Sequence, residues 1–256
     1  MIEIQNLSKK FGDVAALNNI SIQADGGILG VCGPKGAGKS TLLGIIAGVL
    51  PFSEGEVSVF GAELPKDATT RCKLIGYLNE NAPVFKEMTP CEFLMFVGEA
   101  KKIPYEKLFK QMNEVIELTE LTDVKDIYIE HLSYGERKIL GIAATLLGNP
   151  KIVVLDSPFL GLNARELSTI KAIIKMLGEI KTVVISSRNL AEIADVCSKV
   201  ALLLDGELFA FGAPDEIPEI PVQTSSEEAS EADAEEETEE VIDEEEAETE
   251  TEKEGE

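Results

Sequence analysis

The 256-residue chain carries 47 acidic against 23 basic side chains, and 44% of its residues are hydrophobic, which is enough for a substantial buried core. Of the acidic residues, 19 lie after residue 218 beside a single lysine, so residues 1–218 are only mildly acidic. The chain has no basic stripe, which excludes the electrostatic footprint of a nucleic-acid-binding protein. Four cysteines, at 32, 72, 91 and 197, lack metal-ligand spacing and are too sparse for a disulfide framework, which favours a reducing compartment.

The N-terminus and the long apolar runs give no sign of a targeting or membrane-spanning segment. The first residues alternate like a strand, so we predict no signal peptide. Runs such as Leu42 to Leu50 fall short of the ~18 residues that a membrane span needs. After Pro218 the chain is mostly Glu, Thr, Ala and Ser, which predicts a disordered acidic tail at 219–256. This tail is either a solvating appendage or a tether to basic loops of a membrane partner.

Three short alternating segments, at 2–4, 20–22 and 57–60, predict an antiparallel β region. Continuous apolar runs, typical of strands covered on both faces of a parallel sheet, lie at 27–32, 152–155, 183–185 and 200–204. Residues 90–148 show apolar positions at helical spacing and no convincing strand. The pattern predicts an α/β domain at 1–218, with a mixed sheet core, an antiparallel β subdomain and an inserted helical subdomain at about 90–148.

One glycine-rich segment carries the strongest chemical signal. It reads Gly33-Pro34-Lys35-Gly36-Ala37-Gly38-Lys39-Ser40, matches G-x-x-x-x-G-K-[ST], and lies between an apolar strand and a helical segment. Glycines there let backbone N–H groups surround phosphate oxygens at a helix N-terminus. We expect Lys39 to neutralise the β- and γ-phosphates, Ser40 to coordinate Mg²⁺, and Thr41 to complete the phosphate-binding set. The segment therefore predicts nucleotide binding.

A second pair of motifs narrows the class of nucleotide-binding protein. Leu132-Ser133-Tyr134-Gly135-Glu136 is followed, 24 residues after Leu132, by Asp156 at the end of an apolar strand. The pair resembles the signature and Walker B motifs of ATP-binding cassette (ABC) transporter ATPase subunits, and the resemblance covers roughly residues 1–218. It implies a P-loop NTPase fold of ABC type, ATP and Mg²⁺ as cofactors, and Asp156 as a metal ligand through water. Ser133 with Glu136 also forms a helix capping box, and both interpretations can hold.

The resemblance implies further nucleotide contacts. In the family, the hydroxyl of Ser133 and the backbone of Gly135 face the γ-phosphate of ATP held by the opposite subunit. Phe11 lies where the family places an aromatic ring that stacks on adenine, a contact worth ~1–3 kcal/mol by analogy with base stacking elsewhere. The alternative for Phe11 is a core position in the β region.

Several positions depart from the family pattern around one site. Ser157 stands where the family has a catalytic glutamate, and a serine hydroxyl cannot act as a general base near neutral pH. Arg188 stands where a histidine is usual and can grip phosphate without orienting water. Glu80 replaces the usual glutamine and Asn163 the usual aspartate. We predict poor hydrolysis; the competing view is that Glu80 or Mg²⁺ positions the water and the enzyme is merely slower. We expect the sole histidine, His131, to be an ordinary loop residue.

These assignments predict the ATP-binding subunit of an exporter-like ABC transporter, peripheral on the cytoplasmic face of the cell membrane. Because the departures fall on the chain's own ATP site, while Ser133 and Gly135 are kept, we expect a heterodimer with an intact second ATPase. An integral membrane subunit is the other expected partner, docked on the helical insertion. The alternative is a soluble ABC-type regulator that responds to ATP without driving transport.

Overall fold

The computed structural model describes residues 1–63, 68–81 and 84–218. Residues 1–218 form one compact unit. The predicted disordered tail falls outside the described residues and stays a prediction. Within the described ranges, no helix has both the length and the apolar character that a bilayer crossing needs.

Strands and helices alternate along most of the described chain. The strands are β1 (Ile2–Phe11), β2 (Val14–Ala24), β3 (Ile28–Cys32), β4 (Glu54–Val59), β5 (Ala62–Glu63), β6 (Ile75–Leu78), β7 (Ile152–Leu155), β8 (Thr182–Ser187), β9 (Lys199–Leu204) and β10 (Glu207–Gly212). The helices are α1 (Lys39–Ile46), α2 (Ala68–Leu74), α3 (Pro90–Ala100), α4 (Tyr105–Leu118), α5 (Tyr134–Leu146), α6 (Ala164–Ile180) and α7 (Leu190–Ile193). Short 3₁₀ turns lie at Ile129–His131 and Pro214–Glu216.

An antiparallel sheet of order β2-β1-β4-β5 contains the N-terminal strands. Ile2 of β1 pairs with Ala24 of β2 on one side and with Val59 of β4 on the other. Ile2, Ile4 and other apolar side chains on one face of β1 are buried, whereas the face between them is partly exposed. This period of two is the pattern of a sheet with one face against the core.

A second sheet of order β10-β9-β3-β8-β7-β6 forms the centre of the fold. Its five strands from β9 to β6 run parallel, and β10 adds an antiparallel edge. Every residue of β3, β7 and β8 is buried, as expected for strands covered on both faces. The carboxyl ends of β3, β8, β7 and β6 are consequently neighbours at one edge.

The first helix, α1, packs in the core that the two sheets share. Leu42, Leu43 and Ile45 have no exposed surface and belong to one apolar cluster with side chains of β1, β2, β3, β4, β7, β8 and β9. Burying an aliphatic side chain of this size stabilises the fold by roughly 1.5–3 kcal/mol relative to leaving it exposed. The loop that precedes α1 is therefore anchored by a helix that cannot easily move.

Residues 90–148 contain α3, α4, a 3₁₀ turn and α5, and no strand. Helix α3 begins at Pro90 after Thr89, which forms a capping box with Glu92. Helix α5 begins after Ser133, which forms one with Glu136. The mixed sheet, the antiparallel sheet and the helical insertion together confirm the predicted fold class.

Candidate functional site

The glycine-rich loop joins the end of β3 to the start of α1. Gly36 and Gly38 have φ of 84° and 92°, a left-handed conformation that other residues rarely adopt. A Cβ on Gly33 would clash with the carbonyl oxygen of Leu203, and one on Gly38 would clash with that of Ala16. Neighbouring strands therefore leave room for glycine alone at these two positions.

The remaining residues of the glycine-rich loop form a tight turn with an exposed tip. The N–H of Ala37 donates to the carbonyl of Pro34 at 3.2 Å, and Ala37 is buried. Pro34, Lys35 and Gly36 are exposed at the tip of the loop, Ser40 is exposed, and Thr41 is half-buried in the first turn of α1. The tip is therefore open to a ligand while the loop's base is fixed by the core.

Lys39 is the first residue of α1, and its side chain reaches back to the loop. Its side chain is 7% exposed, and its Nζ donates to the carbonyls of Gly33 and Pro34 at 2.8 Å each. Burial lowers the pKa of Lys39, and the nearby charge of Arg188 lowers it further, whereas the charges of Asp156 and Glu80 act in the opposite direction. Four residues identified from the sequence thus lie close enough for their charges to interact: Lys39, Arg188, Asp156 and Glu80.

A chain of hydrogen bonds follows β7 and β8. Asp156 is 1% exposed, and its Oδ1 accepts from the hydroxyl of Ser186 at 2.6 Å. The N–H of Ser157 donates to the same Ser186 Oγ at 2.7 Å. Ser157 is buried and has a φ of 48°, in the left-handed region of the backbone.

The Ser157 hydroxyl is directed at the loop after β6. Ser157 Oγ donates to Oε2 of Glu80 at 2.9 Å. The carbonyl oxygen of Glu80 accepts from Nζ of Lys138 at 3.0 Å, and Lys138 itself is buried on α5. The structure thus brings Glu80, Ser157 and Asp156 together beside the glycine-rich loop.

Arg188 follows β8 and is exposed. The residue before it, Ser187, is held by a hydrogen bond from its hydroxyl to Oε2 of Glu192 at 2.6 Å. The N–H of Asn189 donates to the Ser187 hydroxyl at 3.0 Å. The loop that carries Arg188 is therefore fixed on both sides, and its charge acts on Lys39.

Phe11 ends β1 and is 49% exposed, with Nζ of Lys9 4.7 Å from the ring centroid. This exposure argues against the core alternative for Phe11. Phe11 pairs with Val14 at the end of the hairpin, and Ala16 in the same β2 strand contacts Gly38. The ring lies at the end of a hairpin whose second strand borders the glycine-rich loop.

Ser133 and Gly135 form a second group at the start of α5. The Ser133 hydroxyl accepts from the N–H of Glu136, and the N–H of Gly135 donates to Oε1 of Glu166 at 3.1 Å. A Cβ on Gly135 would clash with the Glu166 side chain, so a larger residue there would push this carboxylate away from the helix start. Tyr134, beside them, is 42% exposed and contacts Gly161.

Glu166 joins two helix starts. Its Oε2 accepts from the N–H of Asn163, the residue that caps α6. Burial raises the pKa of the Glu166 carboxyl, but the N–H groups of Asn163 and Gly135 and the hydroxyl of Ser133 together lower it below its ordinary value. Asn163, with Glu166 three residues later, has the sequence pattern of a capping box, which is the signal that could have identified Glu166.

His131 lies in the 3₁₀ turn before α5, and its Nε2 is 3.5 Å from Oε1 of the adjacent Glu130. Its side chain is 66% exposed. No sequence signal points to Lys138, whose role in holding Glu80 appears only in the structure.

The model of the ABC transporter family matches residues 17–160. The chain belongs to this family. The match includes the glycine-rich loop, the start of α5 and Asp156, so the ABC chain carries these motifs in the family's order. Membership implies ATP binding and places the chain among ATPases, which are typically Mg²⁺-dependent.

Curated ABC relatives align over most of the chain. A sulfate/thiosulfate import ATP-binding protein of Mesostigma viride is 31% identical over 223 residues, which are 86% of this chain and 64% of that protein. The lipopolysaccharide export system ATP-binding protein of Haemophilus influenzae is 30% identical over 223 residues, which are 85% of this chain and 92% of that protein. This chain therefore spans less than two thirds of the first relative and nearly all of the second.

Solved ABC cassettes have the same fold. A cassette determined as a dimer, in a post-hydrolysis state bound to ADP and Pi, superposes with a TM-score of 0.74 at 26% identity. The superposition covers 84% of this chain and 99% of that one.

Proposed function

We propose that this chain is the nucleotide-binding subunit of an ABC transporter and that its own site holds Mg-ATP but hydrolyses it slowly. The observation that carries the proposal is the contrast between Lys39 and Ser157. Lys39 lies in a complete phosphate-binding loop, whereas the side chain that follows the buried Asp156 is a serine whose hydroxyl is bonded to Glu80.

The donor set beside the loop fits Mg²⁺. The Ser40 hydroxyl and the Asp156 carboxylate are hard oxygen donors, which Mg²⁺ prefers. The described residues contain no cluster of three or more His, Cys, Asp or Glu that could hold a metal alone. A site that relies on one carboxylate, one hydroxyl, water and phosphate oxygens is the usual way in which proteins bind Mg²⁺ with a nucleotide. When bound there, Mg²⁺ would neutralise charge on the β- and γ-phosphates.

The substitution at 157 removes the usual proton acceptor. Loss of a general base typically lowers the rate by ~10² to 10⁴, which corresponds to about 3–5 kcal/mol of barrier. Arg188 compounds the effect because its charge is permanent and contributes to phosphate binding rather than to proton transfer. Retention of ATP with slow turnover is the combination that these residues support.

A membrane subunit is the proposed transport partner. A cleft of about 510 Å³ lies between β6, α3 and α5, lined by apolar side chains that include Tyr77, Phe93 and Val97. Its lining includes Tyr77 and Leu78, so a segment seated there would contact β6, the strand that leads to Glu80. We propose that cytoplasmic helices of the membrane subunit bind this cleft and place the chain on the inner face of the membrane.

The second proposed partner is an ABC ATPase with an intact catalytic glutamate. Family dimers pair the glycine-rich loop of one subunit with the signature of the other. A heterodimer would then combine one site that retains ATP with one that hydrolyses it. A stable homodimer with rapid hydrolysis would contradict the proposed pairing.

The most specific part of the proposal is that the transporter is exporter-like. It rests on Glu80, which some exporter-type branches of the family also carry. Similar relatives include both an import and an export ATPase, so transport in inside-out vesicles containing the membrane subunit is the measurement that decides it.

The test of ATP retention uses the full chain without partners. Equilibrium binding of a fluorescent ATP analogue with Mg²⁺ and steady-state phosphate release are measured together. We expect saturable binding and turnover below about 0.1 s⁻¹, which is 10² below a typical enzyme. Turnover near 10 s⁻¹ would contradict slow hydrolysis, and absence of binding would contradict the whole proposal. Copurification of the chain with an integral membrane protein tests the transport role separately.

A further inference from the structure

Glu80 and Ser157 hold equivalent positions in the loops that follow two neighbouring strands. In the parallel pair β6 and β7, Leu78 is opposite Leu155, and the N–H of Asp156 donates to the carbonyl of Leu78 at 2.9 Å. Glu80 and Ser157 each follow their paired leucine by two residues. The register therefore brings the two side chains together, and the Ser157 hydroxyl reaches Oε2 of Glu80 at 2.9 Å.

Both loops are held in place by further contacts. The Glu80 carbonyl accepts from the buried Lys138 ammonium, which ties this loop to α5. The Ser157 N–H donates to Ser186, whose hydroxyl donates to the buried Asp156 carboxylate. The Glu80 carboxylate is thus oriented through Ser157 by the same hydrogen-bond chain that fixes the predicted metal ligand.

The Glu80 charge also acts on the phosphate-binding loop. It raises the pKa of Lys39, as does the charge of Asp156, against the larger opposing effects of burial and Arg188. Position 157 lacks a carboxylate, but Glu80, which follows the neighbouring strand β6, provides one close to the same loop. A carboxylate has two acceptor oxygens, and the Ser157 hydroxyl occupies only Oε2.

We propose that Glu80 is the general base for the slow ATP hydrolysis of this site, with Ser157 as its positioning residue. This rests on the proposed function, since it requires that the site bind Mg-ATP. In the step, a water oxygen bonds to the γ-phosphorus while the bond to the β,γ-bridging oxygen breaks, and ADP leaves with that electron pair. Glu80 accepts the proton that the water loses and then releases it to solvent, so that the products are ADP, phosphate and one proton.

Substitutions at positions 80 and 157 test the proposal most directly. Glu80→Gln removes the proposed base, Ser157→Ala removes its positioning hydroxyl, and the double variant Glu80→Gln with Ser157→Glu moves the carboxylate across the strand pair. Glu114→Gln, on an exposed side chain of α4, is the matched control. Affinity for Mg-ATP, phosphate release and its pH profile are measured for each full-length protein.

We expect Glu80→Gln to lower turnover at least 10²-fold while the Kd for Mg-ATP changes less than about threefold. Ser157→Ala should lower turnover by a smaller factor, and the double variant should recover at least the wild-type rate. Ser157→Glu alone places two carboxylates within hydrogen-bond distance, so one should keep its proton to higher pH and add an ionisation to the profile. The Glu114→Gln protein should match the wild type in all three measurements.

A measurement without nucleotide tests the hydrogen bond itself. Free energies of unfolding of Glu80→Ala, Ser157→Ala and the combination of these two, measured by urea denaturation, should not be additive, because either change alone removes the hydrogen bond. Additive shifts would overturn the positioning role of Ser157.

Other outcomes separate this inference from the proposed function. No binding of Mg-ATP by the wild type would overturn both. Retained binding with equal turnover in Glu80→Gln and wild type would overturn the role of Glu80 alone, as would wild-type phosphate release no faster than that of Lys39→Ala. A tenfold or greater loss of Mg-ATP affinity in Glu80→Gln would identify Glu80 as a metal ligand instead of a base.

Discussion

The phosphate-binding loop and the loops after β6, β7 and β8 lie at the same edge of one sheet, yet they differ in what the fold requires of them. In the first, a Cβ on Gly33 or Gly38 would collide with the backbone oxygen of a neighbouring strand. In the others, the contacts are hydrogen bonds between side chains, as from Ser157 to Glu80. Nucleotide binding is thus enforced by backbone geometry, whereas hydrolysis depends on residue types that can change without disturbing the sheet.

The largest expected effect on Mg-ATP affinity comes from a change in the phosphate-binding loop, at Lys39. Lys39→Ala removes the ammonium at the centre of the loop, and hydrogen bonds to charged groups contribute about 1.5–3 kcal/mol. We expect Mg-ATP affinity to fall roughly 10- to 100-fold, measured by titration with a fluorescent analogue. Lys110→Ala, on an exposed side chain of α4, is the control and should leave affinity unchanged. Equal affinity in Lys39→Ala and wild type would show that the loop is not the phosphate site.

A smaller effect on Mg-ATP affinity is expected in the loop after β8, at Arg188. Because Arg188 is exposed, its contribution to phosphate binding is limited to about 1 kcal/mol, and Arg188→Ala should weaken Mg-ATP binding about fivefold. The same change removes a positive charge that lowers the pKa of Lys39, so that pKa should rise. Titration calorimetry measures the affinity, with Arg165→Ala as an exposed control on α6. Unchanged affinity would show that Arg188 does not contribute to the binding of ATP.

The two regions also differ in how far the sequence predicts them. The glycine-rich loop is predictable because its motif is contiguous and its context, a buried strand and a helix, follows from local periodicity. The contact between Ser157 and Glu80 joins residues 77 positions apart, and that between Gly135 and Glu166 joins residues 31 apart. Such pairs depend on strand register and helix packing, which a single sequence does not specify.

Elements of the fold show the same limit. The apolar runs at 27–32 and 152–155 contain β3 and coincide with β7. The sequence pattern predicts no helix at Ala68–Leu74 and no separate strand at Glu207–Gly212. The latter is an edge strand with alternating half-exposed residues, and its pairing with β9 rather than its own apolar content makes it a strand.

The smallest expected effect concerns Glu166, whose carboxylate joins the starts of α5 and α6 through the N–H groups of Gly135 and Asn163. Because the folded state lowers the pKa of this carboxyl, its contribution to stability is complete above the unfolded pKa and is lost as the pH falls through the folded pKa. Glu166→Gln keeps the size of the side chain and removes the charge. At pH 7 we expect it to lower the free energy of unfolding by about 1 kcal/mol, in the range of capping interactions.

That difference should shrink once the pH drops below the ordinary glutamate value of about 4.3, since both proteins then carry a neutral side chain at 166. Urea denaturation at pH 7, 5, 4 and 3 measures it, with Glu114→Gln as the exposed control, in which only the weak pair with Lys110 is lost and the difference should stay below about 0.5 kcal/mol at every pH. A gap that stays constant with pH would mean that the Gln variant loses packing or hydrogen-bond geometry rather than charge. A gap that closes would establish that the signature helix is capped by an ionised carboxylate from its own chain, which an incoming phosphate would have to displace.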